Sequence, residues 1–344
     1  MKTRITELLG IEHPIFCSGM AYVAIPQLVA AVSEAGGMGI LGTATLGPDE
    51  VRESVREIRE RTHKPFAANL TLVGFETARD NARILIEERV PVVNFSLGIE
   101  PPIVEAVHGY GGKILNTVVT PRHALSAQRK GADGLIVTGH EAGGHGGDAS
   151  SLVILPIIAN TVQLPIAAAG GYSNGRGLAA ALVLGAEGIS MGTRFALSKE
   201  SPMHARVKDL AFHSSESDTI YTDKVDGMGT RFVKTERLLA VTRQLSPLQA
   251  LLNIPTVKRA LRLSLKEVLL AGLRAGPDIR KALGQLQIAG DTYEGLKNGD
   301  YERGIVPGGQ VVGAIEEELS VAQIVQQTVS EAEHILRVRA EALP

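Results

Sequence analysis

The chain has 344 residues and a formal net charge of −2, with 44% apolar and 21% charged residues. That balance suits one large domain, or a barrel with an added subdomain, around a sizeable core, and gives no reason to expect a nucleic-acid partner. One cysteine, Cys17, excludes an internal disulfide and any multi-cysteine metal site. The N-terminus lacks a signal peptide's apolar core and no apolar run reaches membrane-spanning length, so a soluble cytoplasmic protein is expected, with no membrane partner.

The first half of the chain is rhythmic. Short apolar, β-branched runs begin near His13, Met38, Pro65, Pro91, Lys113, Gly134, Leu164 and Glu187, eight candidate strands roughly 20 to 30 residues apart. Helical patterns lie between them. Pro26 to Ala35 puts Leu28, Ala31, Val32 and Ala35 on one face, with Gly36 as a stop. Pro48 opens a helix with Val51, Val55 and Ile58 inward and a charged outer face. Ser173 or Asn174 caps the helix that runs to Leu184. Strands alternating with helices imply parallel βαβ units. A doubly wound sheet should carry GxGxxG after the first strand, but the junction reads Cys17-Ser-Gly-Met-Ala-Tyr. The eightfold count therefore favours an α/β fold of the closed (β/α)8 TIM-barrel type.

After Phe195 the rhythm stops. The expected division is a barrel core over 1–200, a mainly helical subdomain over 201–290, and a return segment with a C-terminal helix over 291–344 that completes the barrel. Pro247 to Leu273 combines leucines with Lys258, Arg259, Arg262 and Lys266. Such a basic amphipathic stretch can meet a membrane surface or an anionic ligand, although a solvated face on a helical subdomain reads the same way. The last helix, from about Val321 to Ala342, offers Ile324, Val325, Thr328 and Ile335 to close the outer ring.

In such barrels the ends of strands seven and eight commonly hold a phosphate. Here they read Ala169-Gly-Gly-Tyr and Met191-Gly-Thr-Arg. Glycine lets backbone N–H groups approach an anion, the Thr193 hydroxyl adds a donor, and a helix N-terminus behind adds partial positive charge. The loop after strand six, Gly139-His-Glu-Ala-Gly-Gly-His-Gly-Gly, is the most unusual segment. Its histidines, His140 and His145, are five apart with Gly143 and Gly144 between, which is neither the HExxH spacing nor a helix, so zinc is rejected. Either it is a flexible surface loop, or it wraps closely around a ligand and presents an imidazole able to act as acid or base.

Several segments together resemble the nitronate monooxygenase family, formerly called 2-nitropropane dioxygenases. They are His13-Pro-Ile with Gly19-Met20, Pro65-Phe-Ala-Ala-Asn69, Glu141-Ala-Gly-Gly-His145, Ala168-Ala-Gly-Gly171, Gly185 to Phe195, and Gly308-Gly-Gln310, in family order across nearly the whole chain. That family includes flavin-dependent NAD(P)H:quinone reductases and is similar to FMN-dependent enoyl-acyl-carrier-protein reductases. The resemblance implies FMN at the barrel's C-terminal mouth. Gly19 and Met20 would line the flavin ring and Asn69 would bond its edge. Gly170, Gly171, Gly192 and Thr193 would hold the phosphate, and Gly309 and Gln310 would flank the cofactor. His145 would be the active-site histidine. The chain departs from some quinone-reductase relatives in lacking a lysine after strand five, where it reads Leu115-Asn-Thr-Val, and Cys17 stands where many relatives have glutamine. Cys17 is then either a buried filler or a thiol near the ring.

Three readings follow from the resemblance. The first is a nitronate monooxygenase that converts an alkyl nitronate with oxygen to a carbonyl compound and nitrite. The second is an NAD(P)H-dependent reductase of quinones or enoyl thioesters. The third is a flavin- or phosphate-binding barrel without turnover. No second dinucleotide fingerprint is present, so use of NAD(P)H cannot be read from a motif. A homodimer is compatible with all three.

Overall fold

The computed structural model describes residues 1–72, 77–243 and 289–342. The eight apolar runs are the eight staves of a closed parallel barrel: β1 (Ile15–Cys17), β2 (Met38–Gly42), β3 (Ala67–Thr71), β4 (Val92–Ser96), β5 (Lys113–Val118), β6 (Gly134–Thr138), then, after a short strand β7 (Gly144–His145) outside the barrel, β8 (Ile166–Ala169) and β9 (Gly188–Met191). β9 pairs back onto β1, with Phe16 opposite Ser190, and closes the ring. Closure leaves no unpaired barrel edge.

The two-residue period of the strands sorts the side chains. Ile15, Cys17, Leu41, Ala68, Leu70, Val93 and Phe95 join the large cluster shared with the surrounding helices. Phe16, Met38, Ile40, Ala67, Val92, Leu115 and Ile136 form a separate cluster with Ile5 and Leu9. The latter two come from helix Arg4–Leu9, which a Thr3/Thr6 capping box starts and Gly10 stops, so a short helix plugs the barrel floor. One step further along the strands, the same parity places Asn69, Asn94, Thr117, Thr138 and Ser190. The interior therefore changes from apolar at the floor to polar at the C-terminal mouth.

The outer helices follow the expected pattern. Helix Pro26–Glu34 ends before Gly36, whose φ is +85°. Helix Pro48–Arg61 buries Val51, Val55 and Ile58. Of the two proposed caps, Asn174 is the one used: its side chain accepts from Gly177 N at the start of helix Gly175–Val183. The C-terminal helix Val321–Glu341 packs on that helix and on Pro26–Glu34. It buries Ile324, Val325 and Thr328, and Ile335 lies against the same core. The crossing is close: a Cβ on Gly175 would lie 2.5 Å from Ala332 N.

The described part of 201–290 holds helices Ala205–Phe212 and Glu236–Arg243, and also two strands that the sequence reading does not foresee. These are β10 (Thr219–Thr222) and β11 (Thr230–Val233), an antiparallel pair extended by β12 (Val306–Pro307) and by β7. The basic stretch Pro247 to Leu273 lies outside the described residues. No described helix is long and apolar enough to cross a membrane.

Candidate active site

A cavity of about 930 Å³ opens at the polar end of the barrel. Eight of the nine residues expected to hold a cofactor line it: Gly19, Met20, Asn69, Gly170, Gly171, Gly192, Thr193 and Gly309. The ninth, Gln310, is not among the lining residues; its backbone N–H donates to Glu141 O at 2.9 Å and ties the 308–310 turn to the loop after β6. Gly19 is required by close approach, because a Cβ there would lie 2.6 Å from Asn69 Cβ. Gly170 and Gly171 have φ of +95° and +82°, a region that L side chains rarely adopt. The Thr193 hydroxyl accepts from Gly309 N–H at 3.0 Å, so its own proton is available to donate.

Asn69 is buried, and its amide is woven into the mouth. Nδ2 donates to Asn94 O (3.2 Å) and Ser96 Oγ (2.7 Å), and Oδ1 accepts from Thr71 Oγ1 (3.1 Å). Ser18, just after β1, and Ser190, on β9, are joined by a 2.8 Å hydrogen bond. Cys17 faces the helix-side cluster and is fully buried, and burial pushes its thiol pKa well up. It is a packing residue, which decides between the two roles left open for it.

The loop after β6 is tied to its surroundings by several hydrogen bonds. Glu141 accepts from Ser151 N (2.9 and 3.0 Å), and the Ser151 hydroxyl lies within hydrogen-bond distance of both Glu141 Oε2 (3.0 Å) and Gly170 O (2.8 Å). Arg231 is buried on β11 and donates Nε and Nη2 to His140 O, at 3.1 and 3.0 Å, and Nη1 to Thr219 Oγ1 at 3.0 Å. Tyr221 Oη donates to Gly146 O at 2.9 Å, and its ring packs on His140. Gly144 and His145 add to the sheet opposite Arg231 and Thr230.

That pairing fixes the two histidines differently. His140 is turned away from the cavity, with Nδ1 bonded to Gly147 O at 3.0 Å. His145 lines the cavity, its side chain is 38% exposed, and Nε2 lies 2.7 Å from Asp226 Oδ2. Asp226 is 2% exposed, and its Oδ1 accepts from Met228 N at 3.0 Å. Sequence reasoning missed both Asp226 and Arg231. They are distant from the loop in sequence, and only the β7–β11 pairing brings them to it. Among the described residues no group of His, Cys, Asp and Glu has metal-ligand geometry.

The family model for nitronate monooxygenase matches residues 2–83 and 71–331. The chain belongs to the nitronate monooxygenase family. It is 33% identical over 342 residues to a Mycobacterium tuberculosis protein named (3aS,4S,5R,7aS)-5-hydroxy-7a-methyl-1-oxo-octahydro-1H-indene-4-carboxyl-CoA dehydrogenase, covering 96% of each. It is 30% identical over 282 residues to a probable nitronate monooxygenase of Staphylococcus saprophyticus, covering 69% of this chain and 79% of that one. Among solved structures, FabK from Thermotoga maritima superposes with a TM-score of 0.83 at 33% identity over the whole of both chains. Nitroalkane oxidase from Streptomyces ansochromogenes shares the fold, with a TM-score of 0.79 at 23% identity over 98% and 99% of the two chains. As a nitronate monooxygenase family member the protein is an oxidoreductase.

Proposed function

We propose that this protein is an FMN-dependent oxidoreductase in which His145 handles the proton of a substrate acidic at carbon, with nitronate monooxygenation as its reaction. The observation that carries this reading is the placement of His145 at a cavity mouth already lined by polar groups and glycine turns. The residues fit the cofactor. The left-handed turn at Gly170 and Gly171 and the unshielded backbone at Gly192 leave N–H groups open to close approach, and Thr193 supplies a hydroxyl proton. Gly19 and Met20 would lie along the ring system.

When bound, FMN supplies the redox chemistry, accepting electrons from substrate and passing them to oxygen. The chain's part is orientation, exclusion of water and proton handling. A neutral nitroalkane must lose the proton on the carbon beside its nitro group, and a positioned imidazole contributes about 10²–10⁴-fold to such a step. A nitronate has already lost it, and the same imidazole would then orient the anion.

A second reading, an oxidoreductase of CoA or acyl-carrier thioesters using NAD(P)H, is favoured by the cavity. Its volume of about 930 Å³ is near the upper end of small-molecule sites, roughly 300–1,000 Å³. That is more room than a cofactor and a short nitro compound require. The relative matched over 96% of both chains is named as acting on a CoA thioester.

The deciding experiment uses protein reconstituted with FMN. Turnover of alkyl nitronate without NAD(P)H is the expected result, with His145→Ala retaining FMN but losing more activity on nitroalkane than on nitronate. Turnover only of thioesters, with flavin reduced rapidly by NADH or NADPH, would replace the first reading by the second. Failure of the protein to bind FMN would defeat both.

A further inference from the structure

We infer that Asp226 is a positioning residue that fixes the ring tautomer of His145 and thereby makes Nδ1 the basic nitrogen presented to substrate. The inference rests on the reading of His145 as the proton-handling group. Its first readout, the ring tautomer, is independent of that reading.

Hydrogen-bond capacity decides which ring nitrogen carries the proton. An ionised carboxylate only accepts. With Asp226 Oδ2 at 2.7 Å from His145 Nε2, the neutral ring must carry its proton on Nε2. Nδ1 then holds the lone pair, and among the described residues it has no hydrogen-bond partner. The carboxylate cannot turn away, because Oδ1 accepts from Met228 N–H and the group is 2% exposed. Nor can the imidazole drift, because its backbone is paired opposite Thr230 on β11, the strand that follows the Asp226 hairpin. Gly146 N–H donates to Gly229 O at 3.2 Å and closes the same bracket. One hairpin thus sets both the position of the histidine and the partner of one of its ring nitrogens. A bond to Nε2 alone would leave a histidine free to swing; a paired backbone alone would leave both tautomers accessible.

This arrangement makes an unusual demand on the two obvious replacements. In Asp226→Asn the side chain has one acceptor oxygen and one donor amide. Met228 N–H requires the oxygen, since the opposite orientation would bring two N–H donors face to face in a buried place. The amide NH2 is therefore directed at His145 Nε2, which must accept. The proton moves to Nδ1, and the lone pair needed at the cavity is lost. In Asp226→Ala nothing dictates the tautomer, so the productive form persists as a fraction of the population. The near-isosteric replacement should therefore be the more damaging one. A residue that merely packs or supports the hairpin predicts the reverse order, because asparagine fills the space and alanine leaves a hole.

The test has two readouts on the full chain, with circular dichroism used to confirm that each variant is folded. The first is 15N NMR of histidine-labelled protein, with the His145 signals assigned by their loss in His145→Ala. The expected result is an Nε2–H ring in the parent, Nδ1–H in Asp226→Asn and a mixture in Asp226→Ala. The second is kcat of the FMN-loaded enzyme on its best substrate, expected to be at least tenfold lower in Asp226→Asn than in Asp226→Ala, with KM little changed. A parent ring protonated on Nδ1 would overturn the inference, as would, where His145→Ala loses turnover, an Asp226→Asn variant equal to or faster than Asp226→Ala. If His145→Ala retains full turnover while the tautomers are as expected, the structural assignment stands and the catalytic reading of His145 fails, so the two failures are distinguishable.

Discussion

Replacing Arg231 by methionine removes the clamp on the His145 loop while keeping most of the side-chain volume. Three hydrogen bonds go: two to His140 O and one to Thr219 Oγ1. Bonds from a charged donor contribute about 1.5–3 kcal/mol each, which sets an upper limit of several kcal/mol. Part of that is offset. Burial already lowers the Arg231 pKa, with Glu141 and Tyr221 opposing, so the guanidinium bears a desolvation cost that methionine would relieve. Against the relief, the His140 carbonyl loses both of the donors that Arg231 supplies. The net expectation is a loss of about 2–4 kcal/mol, in the range of a broken buried network. Urea denaturation followed by far-ultraviolet circular dichroism measures it as a lower midpoint at unchanged slope; the chain has no tryptophan to serve as a fluorescence probe. Because Arg231 is paired with Gly144, turnover should fall as well, under conditions where the variant is still folded. Arg231→Lys should recover less than half of the lost stability, since an ammonium cannot span both acceptors as the planar fork does. A midpoint shift equivalent to less than about 0.5 kcal/mol, the scale of ordinary surface substitutions, would refute the view that Arg231 holds the loop.

Gly192→Val should weaken FMN binding by more than tenfold, about 1.4 kcal/mol, at little cost to the ligand-free protein. A Cβ there meets Met20 Sδ only at 3.5 Å and φ is −92°; unchanged FMN retention on dialysis would place the phosphate elsewhere. Gly171→Val should instead destabilise the ligand-free protein, because φ is +82° and the added Cβ lies 3.4 Å from Glu141 Cβ; a thermal midpoint equal to the parent's would contradict this. His13 has its pKa lowered from 6.5, first by burial and then by the nearby N-terminal ammonium. The unfolded chain therefore binds this proton more readily, so His13 makes stability decline as pH falls below about 6.5. Urea midpoints at pH 7.5 and 5.5 should differ less in His13→Asn than in the parent. Cys17 should react with a thiol reagent only on unfolding, given its complete burial and raised pKa; rapid labelling of the native protein would contradict its packing role.

Much of the barrel was legible because its signals are local. Period, strand length, helix stops such as Gly36 and helix caps such as Asn174 act over a few residues, and all eight staves fall on the expected runs. The glycine turns after β8 and β9 were legible for the same reason, since their place follows from the strand count. What brings Asp226 to His145 was not. Neither residue carries a local mark of the other, and the contact depends on a two-residue strand whose pairing only the assembled second sheet provides.

One pentapeptide shows where sequence stops deciding. Met-Gly-Thr-Arg-Phe occurs at 191–195 and again at 228–232. In the first copy Thr193 begins the short helix Thr193–Ala196, and in the second Thr230 begins the strand β11. In both the phenylalanine and the arginine are buried, and each guanidinium donates to a backbone carbonyl, Glu317 O for Arg194 and His140 O for Arg231. Local composition sets that these segments bury an aromatic ring and a cation. Whether the backbone between them coils or extends is set by its hydrogen-bond partners: β10, β12 and β7 flank the second copy, whereas the first leaves the barrel at Met191, where the strand ends and the N–H groups must turn inward on themselves.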